Sequence, residues 1–525
     1  MVVPELKPWR VARPRLVRAA NAVRPRLSRI AAAATPRLTR WARPTKPQVK
    51  RVRTWQFTTG AGVAGLALAA GAVTAAGPWD STGQRTAERE RAVAQQHTGG
   101  ASHGRGPTRT PVAPRPAPSA PTVLTGLGGS APVAGSAPGA RPVTDVLGPL
   151  LQDPALGERQ AAAVVDLATG RSVYGKASGE ALIPASTTKI ATAVAALSAL
   201  GPDHRLTTRA AFEPDTGELV LVGGGDPTLT ARGHTGGWAD LRTLADRTAR
   251  KLAERGVREV TLSYDTTLYT GPERHPIGEN DNIAPVTALM TDEARVDDST
   301  SGTATRSKEP AADATRAFAG LLKAHGIRTS APGPSKATTR AQTLATVSSP
   351  PLATLVERML TNSDNDIAEA LVRHTALATG RRADFDGAGQ AVHAQLKKLG
   401  LPVAGAVFKD GSGLSREDRL STSLLTALLA EAADPARPEL RPALTGLPVA
   451  GFTGTLSTRY TDGAAGLVRA KTGTLTGVNA LAGTVVDRDG RLLAFAFLAS
   501  GTLDKDAAQT ALDRVATALA DCGCR

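Results

Sequence analysis

Pro184-Ala185-Ser186-Thr187-Thr188-Lys189-Ile190 opens a stretch that reads as a helix from Pro184 to Leu200, with Ile190, Val194 and Leu197 spaced four and three apart as its core face. A serine and a lysine three positions apart share one side of such a helix, so the amine reaches the hydroxyl. A serine hydroxyl becomes a nucleophile only when a base takes its proton, and a lysine is that base only if burial or a nearby cation lowers its pKa. The helix start adds backbone N–H groups beside the serine, which suit an oxyanion hole. By composition, about one Ser-x-x-Lys arises by chance in a chain this long. Taken alone, an N-capping serine followed by a surface lysine is the simpler reading, so other residues must decide.

Two further strings bear on it. Ser363-Asp364-Asn365 immediately precedes a predicted helix beginning Asp366-Ile367-Ala368-Glu369. A second serine can relay a proton to a leaving amine, and an asparagine amide both accepts from and donates to a peptide; helix capping is the plainer role for the same three residues. Lys471-Thr472-Gly473-Thr474 follows the apparent strand Gly466 to Ala470. A glycine there lets an extended substrate approach the strand edge, the threonines offer donors, and the lysine attracts a carboxylate. A strand end and turn is the alternative, but this string is far rarer by chance than the first.

Around these strings the chain reads as interleaved elements. Strands are predicted at Ala161 to Asp166 and Arg171 to Tyr174 around a Thr169-Gly170 turn, and at Glu218 to Val222, Glu259 to Ser263, Asn479 to Val486 and Leu492 to Leu498. Helices are predicted at Trp238 to Arg255, Ala311 to His325, Pro351 to Leu360, Asp366 to Thr379 and Asp506 to Asp521. Hairpin-like pairs at both ends favour a mixed antiparallel sheet covered by helices, an α/β (α+β) class, over a parallel barrel.

The order S-x-x-K, S-D-N, K-T-G is that of active-site-serine penicillin-binding proteins and class A β-lactamases. In that setting Ser186 attacks a carbonyl with Lys189 as its base. The N–H groups of Ser186 and Thr474 hold the oxyanion, while Ser363 and Lys471 protonate the departing amine. With Val222-Gly223-Gly224-Gly225-Asp226-Pro227-Thr228-Leu229, Asp410-Gly411-Ser412-Gly413-Leu414-Ser415-Arg416 and Leu447-Pro448-Val449-Ala450-Gly451, the chain from about 145 to 525 resembles the D-Ala-D-Ala carboxypeptidase/endopeptidase family of class C, low-molecular-mass penicillin-binding proteins.

The resemblance implies a penicillin-binding-protein/β-lactamase-like transpeptidase fold. It implies a cofactor-free, penicillin-sensitive serine hydrolase outside the cytoplasmic membrane that acts on peptidoglycan stem peptides. Catalytic residues would be Ser186, Lys189, Ser363, Asn365 and Lys471, with Thr472, Gly473 and Thr474 binding substrate. It also implies a catalytic domain, 145–205 joined to 341–525, split by an insertion at 206–340. The Gly223 to Asp226 run lacks the Gly-Lys-Ser/Thr of a phosphate loop and reads as a turn, and the Asp410 to Gly413 stretch reads as structural.

The rivals have weaker support. A class A β-lactamase needs a water-activating glutamate, and Glu369, Glu417, Glu431 and Glu439 lie in no recognisable context for one. A non-catalytic penicillin-binding sensor or wall-binding protein is the other alternative. Eight histidines without a His-Glu-x-x-His pair disfavour a metal peptidase, and no metal is expected.

The 525 residues carry a net charge of +16, which by itself would suggest nucleic acid. Residues 1–54 hold almost all of it: fifteen Lys/Arg against Glu5 leave the remainder near neutral. Arg13-Pro14-Arg15 and Arg24-Pro25-Arg26 break any recognition helix, so an anionic inner membrane leaflet is the better partner than nucleic acid. The uncharged 55–78 segment reads as a membrane signal anchor with the basic arm cytoplasmic; cleavage near Val73-Thr74-Ala75, giving a secreted protein, is the alternative. Residues 79–144, rich in Pro, Ala, Gly, Ser and Thr, read as a disordered tether. Cys522 and Cys524 are too few for a disulfide framework and leave the compartment undecided.

Overall fold

The computed structural model describes residues 142–523, apart from 234–236, 331–332 and 461–462. The arm at 1–54, the 55–78 segment, the tether up to 141 and Cys524 therefore lie outside the described residues. Among the described residues no helix is long and apolar enough to cross a membrane.

The described chain begins with helix α1 (Val143–Leu150), whose Val143 and Leu147 are buried, so folded structure starts slightly before the expected 145. Then come β1 (Arg159–Asp166), β2 (Ser172–Lys176), the short β3 (Ala181–Leu182) and α2 (Thr188–Leu200). The next stretch holds β4 (Thr207–Glu213), β5 (Glu218–Val222), α3 (Leu241–Glu254), β6 (Glu259–Asp265), α4 (Pro310–Ala324), β7 (Arg328–Thr329), β8 (Gly333–Pro334) and β9 (Gln342–Ser348). The chain continues through α5 (Leu352–Asn362), α6 (Asn365–Ala378), α7 (Phe385–Lys398), β10 (Leu420–Ser421), α8 (Thr422–Ala433) and the single turn α9 (Pro442–Thr445). It ends with β11 (Val468–Leu475), β12 (Val478–Val486), β13 (Leu492–Ser500) and α10 (Lys505–Ala520).

The first sheet is antiparallel, in the order β11-β12-β13-β1-β2, so strands from opposite ends of the chain meet at its centre. Its inner strands are buried on both faces, which is why they read as continuous apolar runs. Side chains alternate: Ala480, Ala482, Ala494 and Ala496 face the core that holds α2, α5, α6 and α8. Leu481, Val485, Phe495 and Phe497 face the core made with α1 and α10. Alanines on one side let helices approach closely, while the stacked Phe495–Phe497 pair fills the other. Burying each phenylalanine is worth about 1.5–3 kcal/mol. Helix α2 differs from its amphipathic reading: every residue from Thr188 to Leu197 is buried, the polar Thr188, Lys189 and Thr192 included, as expected of a helix packed on all sides.

The second sheet runs β7-β6-β5-β4-β9, with β8 beside β6, and packs on α3 and α4. Strand β9 pairs antiparallel with β4. The junction expected at 340 therefore falls before the last strand of this sheet, because Ala345 and Val347 bury against its core.

Candidate active site

Ser186 sits in a 3-10 turn, Ala185–Thr187, that leads directly into α2. Ala185 holds a left-handed φ of 47°, a costly backbone state that persists only where the surroundings enforce it. They do so here. A Cβ on Gly413 would lie 2.0 Å from the Ala185 carbonyl, and one on Gly473 would lie 2.7 Å from the Pro184 carbonyl and 3.1 Å from the Ala185 Cβ. The turn is thus clamped between the Asp410–Gly413 loop and β11. Gly473 is buried and is explained by this close approach to the chain itself, not by room for a substrate backbone.

Lys189 is fully buried. Its Nζ lies 3.1 Å from Ser186 Oγ and donates to Asn365 Oδ1 and to the Ser412 carbonyl, both at 2.6 Å. Burial lowers its pKa to about 8, against the opposing pull of Asp410, Asp364, Glu369 and Asp366. Of the two routes by which a lysine becomes a base, burial is the one that acts on Lys189; the neighbouring charge works in the other direction, Lys189 helping to lower the pKa of the second buried lysine, Lys471.

The S-D-N string links α5 to α6. Ser363 ends α5 in a left-handed conformation, φ 59°, and Asp364 caps α6 by accepting from the Ile367 N–H at 3.0 Å. Capping thus falls to Asp364, while Ser363 and Asn365 line the cleft with Ser186. The Asn365 amide bridges: its oxygen meets Lys189 and its Nδ2 donates to the Asn282 carbonyl at 2.9 Å.

The K-T-G string lies within β11, an edge strand, where sequence stops the strand at Ala470. Lys471 is fully buried, donates to the Thr472 carbonyl at 2.7 Å, and is pushed well below the usual lysine range by burial, then by Lys189 and Arg459. Thr472 and Thr474 face the same cleft as Ser186. Thr472 Oγ1 donates to Thr455 Oγ1 at 3.0 Å.

The cleft encloses about 240 Å³. Besides the predicted residues it is lined by Asn282, Arg295, Ser301 and Arg306, from the segment read as an insertion. Arg295 and Arg358 pair with the buried Glu293, and Arg306 pairs with Asp366 at 2.9 Å. Burial, reinforced by Glu293, raises the pKa of Asp364. No linear motif signals these arginines. Among the described residues, two buried groups could in principle hold a cation, His275-Glu369-Asp410 and Glu293-Asp364-Asp366. In both, protein N–H groups and cationic side chains already meet the carboxylates.

A serine and lysine at a helix start, a serine and asparagine between two helices, and a lysine on a sheet edge, all around one cleft, define an active-site-serine hydrolase of the penicillin-recognising type. Residues 143–301 and 296–521 match the D-Ala-D-Ala carboxypeptidase 3 (S13) family. The chain is 38% identical over 428 residues to a carboxypeptidase of Mycobacterium tuberculosis, covering 78% of this chain and 90% of the relative. It is 31% identical over 486 residues to the D-alanyl-D-alanine carboxypeptidase of Actinomadura sp., covering 76% and 88%. Its fold is similar to that of penicillin binding protein 4 from Haemophilus influenzae, with a TM-score of 0.59 at 22% identity over 71% of this chain and 97% of the other. The chain belongs to the D-Ala-D-Ala carboxypeptidase 3 (S13) family and is a serine-type D-Ala-D-Ala carboxypeptidase.

Proposed function

We propose that this carboxypeptidase removes the terminal D-alanine of peptidoglycan stem peptides through an acyl-enzyme on Ser186. The neutral Lys189 amine takes the Ser186 proton as Oγ bonds to the carbonyl of the penultimate D-alanine. The oxyanion is met by the backbone N–H groups of Ser186 and Thr474. As the C–N bond breaks, Ser363 and Lys471 pass a proton to the departing amine. Water then hydrolyses the ester and restores the serine. Asn365 holds Lys189 and is placed to meet the substrate amide, and Thr472 and Thr474 line up the substrate along the edge of β11, while Gly473 lets the Ser186 turn pack against that strand. The observation that carries this reading is the buried Lys189 Nζ at 3.1 Å from Ser186 Oγ.

β-Lactams would acylate the same serine. Peptidoglycan places the catalytic domain outside the cytoplasm, with residues 55–78 as its membrane anchor. The catalytic body is 143–205 joined to the chain after β9, and the second sheet is an inserted domain. Endopeptidase cleavage of cross-links uses the same chemistry on a longer leaving group.

Digestion of purified muropeptides by wild type and Ser186→Ala, with products identified by mass, tests the reading. Loss of one D-alanine in wild type alone supports it, and splitting of dimers alone points to an endopeptidase. Products undiminished in Ser186→Ala would sink it. Rapid turnover of a bound β-lactam would favour the β-lactamase alternative instead.

A further inference from the structure

Glu369 lies on α6 with its side chain fully buried. Its Oε1 accepts from the backbone N–H groups of Gly411 and Ser412, each at 2.9 Å, and its Oε2 lies 3.1 Å from Nη1 of Arg373 one turn on. The backbone of the loop these N–H groups belong to is held at further points, although the Ser412 Oγ is buried without a partner. The Gly411 carbonyl accepts from Thr192 Oγ1 at 2.7 Å, the Gly413 N–H donates to Asp410 Oδ1 at 2.6 Å, and the Ser412 carbonyl accepts from Lys189 Nζ. Gly411 rests directly on α6, where a Cβ would come within 2.7 Å of the Ala368 carbonyl. At this close approach the loop turns its Gly411 and Ser412 N–H groups onto the Glu369 carboxylate and its Gly413 N–H onto Asp410. A carboxylate buried this way without partners would be costly; two N–H groups and a guanidinium satisfy it.

We propose that Glu369 is a positioning residue for the Ser186 reaction: it locks the Gly411–Ser412 backbone whose carbonyl holds Lys189 beside the nucleophile. This rests on Lys189 being the base. Glu369 touches neither substrate nor the reacting atoms and acts through the loop and through its charge. Lys189 is faced by Asp364 and Asp366 at the start of α6, by Asp410 from the loop, by Glu369, and by Lys471 from β11. Glu369 is itself faced by Arg373, by His275 and Tyr269, and by Asp410 and Asp418. Removing its negative charge leaves the protonated amine less favoured, so Lys189 gives up its proton at lower pH.

The test is the second-order rate of acylation of the full chain by penicillin G across the pH range, for wild type and Glu369→Gln. The expected result is an acid limb displaced downward by about one pH unit together with a high-pH plateau lowered about tenfold. A purely structural residue would lower the rate without moving the limb, so a folded Glu369→Gln with the wild-type limb overturns the proposal. If the single variant does not melt cooperatively, Glu369→Gln/Arg373→Met replaces the whole ion pair by neutral groups, a change that buried pairs tolerate. It is read the same way. A Ser186→Ala chain that penicillin G still acylates would instead overturn the assignment of Ser186, whatever the Glu369 variants show.

Discussion

His275 Nε2 lies 3.1 Å from Asp410 Oδ2, with both side chains buried. The histidine comes from the segment read as an insertion, the aspartate from the loop whose next turn holds Lys189. The imidazole also meets Phe385 edge-on at 5.2 Å, so its position is fixed by packing as well as by the bond. Asp410 keeps two N–H donors, from Gly413 and Ser415, if the histidine is lost. We expect His275→Ala to destabilise the fold by about 1–3 kcal/mol and to slow acylation by β-lactams. Urea unfolding and acylation rates measure the two; full acylation in a destabilised variant would show that the loop holds Lys189 without this strut.

Acylation should rise with pH. Burial lowers Lys189 to about 8, and only the neutral amine accepts the serine proton. Near pH 7 about a tenth of the chains hold it neutral, so moving to pH 9 raises the rate about tenfold. The stability consequence has the same sign. Between about 8 and 10.5 the folded lysine binds fewer protons than the unfolded one, so its penalty shrinks as pH rises through that window. A rate flat from pH 6 to 9 would rule out Lys189 as the titrating base.

Gly473→Ala separates packing from substrate access. Its Cβ would press on the Pro184 carbonyl at 2.7 Å and on the Ala480 and Ala185 Cβ atoms at 3.0 and 3.1 Å, none of which is a flexible side-chain end. The Ser186 turn must shift. A displacement approaching an ångström at a nucleophile costs about a hundredfold in rate, so acylation by a small β-lactam should fall steeply. A variant impaired only towards long peptides would mean that the glycine serves the substrate after all.

The parts of the site that sequence reveals are those whose chemistry fits within one turn or one strand. Ser186 and Lys189 meet because they are one helical turn apart, and Lys471 to Thr474 announce themselves as a rare string. Strand β5 is predicted with the bounds observed because Glu218–Val222 is a compact β-branched and leucine run. Strands β4 and β9 are not read: Thr207–Glu213 and Gln342–Ser348 mix polar and small residues, and their place in the sheet, β4 between β5 and β9, makes them strands. Helix α7 is missed because Gly387 and Gly389 weaken its pattern; both are there so that the Arg382 and Phe408 carbonyls can approach. Glu369 is visible in sequence only as a rival water-activating glutamate. Its partners Gly411 and Ser412 lie far along the chain, and His275 joins them from the other side. The glycines flanking Ser412 were the one local sign that this loop passes close to something.

Asp226 offers a test of burial that avoids the reacting groups. It closes the run Gly223-Gly224-Gly225, and its Oδ1 accepts from the Thr228 N–H at 2.9 Å and from Thr228 Oγ1 at 2.6 Å, while Oδ2 is buried without a partner. Burial raises its pKa to about 6. The folded carboxyl therefore binds more protons than the unfolded one between about pH 4 and 6, and the stability it contributes at low pH is lost as pH rises through that window. Asp226→Asn keeps the acceptor and cannot ionise. Asp366, also raised to about 6, and His374, lowered to about 4, titrate in the same range but cancel when the two proteins are compared. The stability of wild type relative to the variant should thus fall by up to about 2–3 kcal/mol from pH 4 to pH 7. Urea unfolding of both proteins across that range measures it, and a difference independent of pH would mean that Asp226 keeps an ordinary carboxylate pKa despite its burial.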